Sequence, residues 1–205
     1  MIGLYVLRRH TEMVSKFEEK NMMTRSNIIQ TFLHFLKERE LTEISVRDIT
    51  WELGINRSTF YLHFEDKYDL LTKIEDELIE KLYTQLNALP PVDIKEITFN
   101  YSMAMFRFIE IHRTMFQLLL SPNNRPRFRL TLKALFRDNF ENIYMKQIIP
   151  RPSMTIPANY VSAFATSAML GLIIEWLKDE KAISAEEINE NFYKILAFIQ
   201  EVYQK

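Results

Sequence analysis

The residues of this chain best suited to specific polar contact are Arg57, Ser58, Thr59 and Tyr61, crowded into one short run with His63 at its margin. A guanidinium, two hydroxyls and a phenol supply N–H and O–H donors in the density needed to bond base edges and phosphates. No rival chemistry is assembled elsewhere. The absence of cysteine removes thiolate metal sites, disulfides and cysteine nucleophiles, and fits a reducing interior. His10, His34, His63 and His112 have no tight ligand spacing, so no metal site is expected. Gly3, Gly54 and Gly171 are the only glycines, too few and too scattered for a P-loop or a GxGxxG turn, and there is no GxSxG elbow. With no catalytic constellation, the chain is expected to be neither an enzyme nor a cofactor carrier.

The polar run needs elements to hold it. Ser45-Val46-Arg47-Asp48 opens a helix as a capping box, with the Ser45 hydroxyl and the Asp48 carboxylate bonding each other's backbone amides. Ile49 and Leu53, four apart, give that helix one apolar face, and Gly54 supplies the left-handed conformation that ends it. Asn56 then caps a second short helix, in which Phe60 and Phe64 turn inward together with Ile55. Arg57, Ser58, Thr59 and Tyr61 are left facing outward. Two short helices joined by a glycine turn predict a helix-turn-helix, whose second helix enters the major groove of duplex DNA.

Charge gives this reading no help: the net charge is −1, and between Thr24 and Phe64 five basic residues are matched by five acidic ones. Placement must do what net charge does not. Arg25, Arg47, Arg57 and Lys67 fall at the expected starts of four successive helices, where free amides and the helix dipole favour phosphate. The first of those helices is read from about Thr24 to Arg39, on the stripe of Ile28, Ile29, Phe32, Leu33, Phe35 and Leu36.

Ser45 through Leu71, ending Phe60-Tyr61-Leu62-His63-Phe64-Glu65-Asp66-Lys67-Tyr68-Asp69-Leu70-Leu71, resembles the N-terminal DNA-binding domain of the tetracycline-repressor (TetR) family of bacterial regulators. The resemblance covers roughly residues 24–71. It implies that Tyr61, His63 and Lys67 contact phosphate, and that Arg57, Ser58 and Thr59 read bases or line the groove. With Arg25, Ser45 and Arg47 these complete the expected DNA-binding set. Two positions depart from the family pattern: Thr50 replaces a residue usually small, and Trp51 stands where a charged residue is common. Thr50 is expected to pack its methyl group on the second helix. Trp51 is expected either to lean on the first helix or N-terminal extension, or to lie near a phosphate and donate its indole proton.

The remainder of the chain reads as helix almost throughout, so the fold class is all-α. A connector helix runs from Asp66 to about Leu89 on Leu70, Leu71, Ile74, Leu78 and Leu82, and Pro90-Pro91 stops it. Further helices are expected near 94–112, 113–120, 126–148, 157–178 and 184–204. Three parts follow: an N-terminal extension, 1–23, read as an extra helix; a three-helix DNA-binding domain, 24–71; and a helical ligand-binding and dimerisation domain, 72–205. Met22-Met23 leaves the translational start open.

Residues 152–174 carry no charge and approach membrane-spanning length, but Pro157, Asn159 and several Ser and Thr dilute them. Their small residues, Ala158, Ser162, Ala165, Ala168 and Gly171, instead suit close helix packing, and no membrane partner is expected. By resemblance, 157–178 and 184–204 form the homodimer surface, and a twofold dimer presents two recognition helices to a palindromic operator in double-stranded DNA.

Large flexible and aromatic residues collect between the connector and these helices. They are read either as plain core or as the lining of a small-molecule effector pocket, with Met103, Phe106, Phe116, Phe140, Tyr144, Phe164, Met169 and Trp176 as candidates. Arg107, Glu110, His112 and Glu175 could orient a polar group there. The expected protein is a cytoplasmic, nucleoid-associated bacterial repressor released by an effector. The alternatives are an architectural DNA binder without effector and a co-regulator that has lost DNA binding.

Overall fold

The structure is a computed structural model; it describes residues 2–89, 94–142, 156–179 and 183–203. Among them all regular structure is helical: α1 (Ile2–Glu38), α2 (Val46–Glu52), α3 (Arg57–Tyr61), α4 (Lys67–Asn87), α5 (Ile94–Ile111), α6 (Arg113–Leu119), α7 (Arg127–Phe140), α8 (Ala158–Lys178) and α9 (Ala185–Tyr203). Contacts divide the chain into two compact units, Met1–Ile74 and Glu75–Lys205, with the division inside α4. The expected continuation of the α7 segment to 148 lies outside the described residues beyond 142.

One expectation is corrected at the outset. The first helix does not begin at Thr24; it runs unbroken from Ile2, and the extension is its N-terminal part. Between Leu4 and Ser45 there is neither glycine nor proline to stop a helix. The Thr24 hydroxyl, which could have capped a new helix, donates to the Lys20 carbonyl one turn back (2.9 Å). Arg25 is therefore mid-helix, and no free amides surround it.

In the N-terminal unit the core is Ile28, Phe32, Leu33 and Phe35 of α1, Leu41 and Ile44 of the following loop, Ile49 of α2, Phe60 and Phe64 around α3, and Leu70, Leu71 and Ile74 of α4. Phe60 and Phe64 are fully buried, their ring centroids 5.7 Å apart. Each such ring contributes about 1.5–3 kcal/mol by leaving water, so together they fix which flank of α3 faces inward.

In the C-terminal unit α5 packs on α9, α7 and α6 on α8, and α5 on α6. Polar side chains from α5 and α6 finish the ends of neighbouring helices. Arg113 donates to the carbonyls of Trp176 (2.6 Å) and Asp179 (3.1 Å), and Gln117 to that of Leu177 (2.8 Å), closing the C-terminus of α8. Glu110 accepts from the Ala185 amide at the start of α9 (2.9 Å), and Arg107 pairs with Glu186 one residue on (2.8 Å). Near the start of the unit Arg127 forks between Glu75 (2.7 Å) and Asp76 (2.6 Å) of α4.

Candidate nucleic-acid interface

The turn between α2 and α3 is built as the sequence predicts. The Ser45 hydroxyl accepts from the Asp48 amide (3.2 Å), and the Asp48 carboxylate accepts from the Ser45 amide (2.9 Å) and hydroxyl (2.6 Å). The Ser45 hydroxyl bond, then its amide bond, holds the Asp48 carboxyl below the usual range. At the far end Gly54 has φ +62°, its amide donates to the Trp51 carbonyl (3.1 Å), and the Ile55 amide donates to that of Thr50 (3.0 Å). This pair of bonds is a Schellman closure, and it needs the left-handed residue that glycine supplies at no steric cost. Thr50 is buried as expected, and its hydroxyl donates to the Arg47 carbonyl (3.1 Å).

Asn56 caps α3 through its side-chain oxygen, which accepts from the Ser58 amide (3.2 Å). The helix proper ends at Tyr61, sooner than the predicted Phe64, and His63 sits in the turn that follows. Arg57, Ser58 and Tyr61 are exposed, with Thr59 and His63 half-exposed beside them and Arg47 exposed on α2. This is the outward flank that the residue pattern predicts.

Three members of the expected set are employed differently. The Ser45 hydroxyl spends its one proton on Asp48, so as arranged it has none to offer a phosphate oxygen. Arg25 lays its guanidinium over the Phe64 ring, 5.5 Å from the centroid. The Lys67 ammonium donates to three carbonyls of the α1–α2 loop, those of Leu41 (2.8 Å), Thr42 (3.0 Å) and Ile44 (2.6 Å). All three of its protons are thereby used, and its visible role is to pin that loop to the start of α4.

Lys73 completes the scaffold and was not among the predicted residues. It reaches the His63 carbonyl (3.3 Å), pairs with Asp69 (2.8 Å), and covers the face of Phe64 at 5.4 Å. The Asp69-to-Lys73 spacing of four was the one available signal. Burial, and then the charge of Arg25, pushes the His63 imidazole below its ordinary pKa of 6.5, so it is neutral at pH 7. Trp51 is 81% exposed on α2, with no side chain among the described residues covering it in the way first expected.

Among the described residues the predicted effector-pocket side chains are divided between core and surface. Phe106 packs edge-on against Trp176 (5.7 Å) and Phe116 against Phe128 (5.6 Å), all as buried core. Phe164 is 67% exposed on α8, Met103, Phe140 and Met169 are half-buried, and Tyr144 lies outside the described residues. Arg107, Glu110 and Glu175 are occupied by Glu186, the Ala185 amide and Lys178, and His112 stacks on Phe108 (4.4 Å). A cleft of about 340 Å³ does exist in this unit, and its polar lining includes Tyr83, Asn87, Tyr101, Asp138, Asn139 and Asn142. None of these was predicted.

Comparison with known proteins matches the same two parts. Residues 28–74 match the bacterial regulatory proteins of the tetR family, and residues 96–197 match a transcriptional regulator C-terminal region of TetR type. The chain is similar to the HTH-type transcriptional regulator YxbF of Bacillus subtilis, 20% identical over 84% of this chain; it spans only 44% of that relative. Among solved structures it is similar to a TetR transcriptional regulator from Streptococcus agalactiae, with 20% identity, a TM-score of 0.68, and 89% of this chain and 98% of that one covered. NalD of Pseudomonas aeruginosa, described as the secondary repressor of the MexAB-OprM multidrug efflux pump, aligns with 18% identity and a TM-score of 0.64 over 86% of this chain and 96% of its own. A capped helix-turn-helix with an outward polar flank, carried on an all-helical chain whose two parts both match, leads to one assignment: the chain belongs to the TetR family of DNA-binding transcriptional regulators.

Proposed function

We propose that the chain represses transcription by binding a palindromic operator as a homodimer, and that a small-molecule effector releases it. The observation that carries the DNA part is the outward flank of Arg57, Ser58, Thr59 and Tyr61 beside exposed Arg47, held by two buried phenylalanines and two capped helix starts. Arg57, Ser58 and Thr59 read the groove, since they occupy the first turn of the recognition helix, where base edges come within reach. Tyr61 and His63 contact phosphate.

The dimer reading rests on α8 and α9. Ser162, Thr166, Leu170, Ile173 and Trp176 face their own unit, which leaves Tyr160, Phe164, Ala168 and Gly171 along the opposite flank of α8, exposed. By length and composition α8 could cross a membrane (mean hydropathy 1.5). A flank of two aromatics followed by two small residues suits a second helix at close range, and Ile195 is a further exposed apolar side chain on α9.

For the effector, the cleft lined by Tyr83, Asn87, Tyr101, Asp138 and Asn139 is a better seat than the aromatic core, because its groups fit a ligand with several hydrogen-bonding atoms. An effector acts by preferring one dimer arrangement over another, and a tenfold preference is worth about 1.4 kcal/mol. The test is selection of bound fragments from genomic DNA by the purified chain. The proposal expects a small set of sites with twofold-symmetric half-sites. Recovery of unrelated fragments everywhere would favour the architectural alternative, and recovery of none would favour the co-regulator.

A further inference from the structure

We infer that Trp51 is a further DNA contact of this chain, an uncharged clamp that donates its indole N–H to a backbone phosphate and lays its ring on the adjoining sugar. The inference rests on the DNA-binding reading and adds to it an uncharged aromatic of α2.

The two tryptophans are treated very differently. Trp176 is 3% exposed, and its Nε1 donates to the Ile183 carbonyl (2.8 Å). Trp51 is 81% exposed, and its N–H meets no acceptor among the described residues. An indole packs large area when it packs at all, so a bare one on a seven-residue helix does nothing for the fold. Its surroundings say what it suits. Trp51 is one wall of an open depression of about 490 Å³ formed with Arg47, Thr50, Gly54, Ile55 and Arg57.

Two guanidiniums and no carboxylate line this depression, and neither guanidinium has an ion-pair partner among the described residues. A protein surface or a second copy would have to bring acidic groups to match it; a sugar–phosphate backbone brings them already. The depression is continuous with the proposed reading flank, because Arg57 belongs to both. Gly54 contributes to its openness: a Cβ there would meet nothing within 4 Å. The indole offers one neutral donor and an apolar face, which is what a phosphate oxygen and its deoxyribose present in succession.

A neutral donor has a signature that an arginine cannot give. Removing it weakens binding without releasing fewer counterions, so the slope of log affinity against log salt stays the same. Phosphate contacts carry no sequence information, so the loss is equal on any duplex. The experiment measures binding of the full chain, Trp51→Ala and Trp51→Phe to a duplex recovered from genomic selection and to a random duplex, by fluorescence anisotropy across a salt series. Expected is a loss of about tenfold for Trp51→Ala on both duplexes with unchanged salt slope, the size of one hydrogen bond to a charged group, and an intermediate loss for Trp51→Phe. DNA should also change the tryptophan emission of the wild type but not of Trp51→Phe, which retains buried Trp176.

Wild-type affinity in Trp51→Ala would overturn the inference while leaving the regulator reading intact. So would a loss confined to the selected duplex, a reduced salt slope, or a loss of self-association instead of DNA affinity. A lowered melting temperature in Trp51→Ala would overturn the premise that the ring packs on nothing. If the wild type binds neither duplex, the reading and the inference fall together.

Discussion

Replacing Lys67 by methionine separates a structural lysine from a DNA-contacting one. The ammonium is shared among the carbonyls of Leu41 (2.8 Å), Thr42 (3.0 Å) and Ile44 (2.6 Å), and the side chains of Leu41 and Ile44 are core residues. A hydrogen bond to a charged group contributes about 1.5–3 kcal/mol, but one ammonium divided three ways delivers less than three such bonds, and the exposed Thr42 carbonyl rehydrates readily. The expected cost is about 2–4 kcal/mol, concentrated where the α1–α2 loop meets α4. Hydrogen exchange without DNA reads it directly: amides of the loop and of α2 should exchange roughly 30- to 1,000-fold faster in Lys67→Met, while those of α8 stay as in the wild type. Lys67→Arg should rescue only in part, because a planar fork cannot converge on three carbonyls around a point. Unchanged exchange, combined with a salt slope of DNA binding reduced by one, would refute this reasoning and restore the lysine to the phosphate.

Two further outcomes follow from the titratable groups. The Glu75 side chain is 1% exposed and its carboxyl is pushed above the ordinary 4.5 by burial, with Arg127 pulling the other way. Between 4.5 and that raised value the folded chain holds more protons than the unfolded one, so this group's contribution is fully present below 4.5 and is lost as pH rises through the folded value. Arg127→Met strands the carboxylate and raises its pKa further; the variant should lose about 2 kcal/mol at pH 8, less than a fully buried pair because Arg127 is 38% exposed, with the gap to wild type narrowing by pH 4.5. Urea unfolding at both pH values checks it, and a gap independent of pH contradicts it. His63, held neutral in the free protein, should take up a proton when a phosphate approaches. DNA affinity should therefore rise as pH falls from 8 to 6, by less than tenfold per unit, and His63→Gln should flatten the profile; an unchanged profile would remove His63 from the interface.

What could be read in the sequence was what neighbours in the chain decide. The box at Ser45 and Asp48, the glycine closure at Gly54, the Asn56 cap and the inward turn of Phe60 and Phe64 each depend on residues within a few positions, and all are present. The role of Lys67 was illegible because its partners are distant: it meets carbonyls 23 to 26 residues upstream, and backbone oxygens leave no trace in residue types. Arg25 was misplaced because Thr24 has the right type for a cap and the wrong employment, its hydroxyl bonding back to Lys20. In the second unit, aromatic and methionine spacing could not tell core from cavity. Phe106 closes on Trp176 and Phe116 on Phe128, while a cleft among the described residues is lined by residues of α4, α5 and α7 that include tyrosines and asparagines.

The central claim is that the flank from Arg57 to Tyr61 reads duplex DNA, and the most direct measurement compares wild type and Arg57→Ala on a selected and a random duplex. Loss of a side chain that bonds a base edge costs about 1–3 kcal/mol on the selected site, so Arg57→Ala should lose roughly 5- to 150-fold more affinity there than on random sequence. Equal loss on both would reduce Arg57 to a backbone contact, and a wild type that prefers neither duplex would contradict the account.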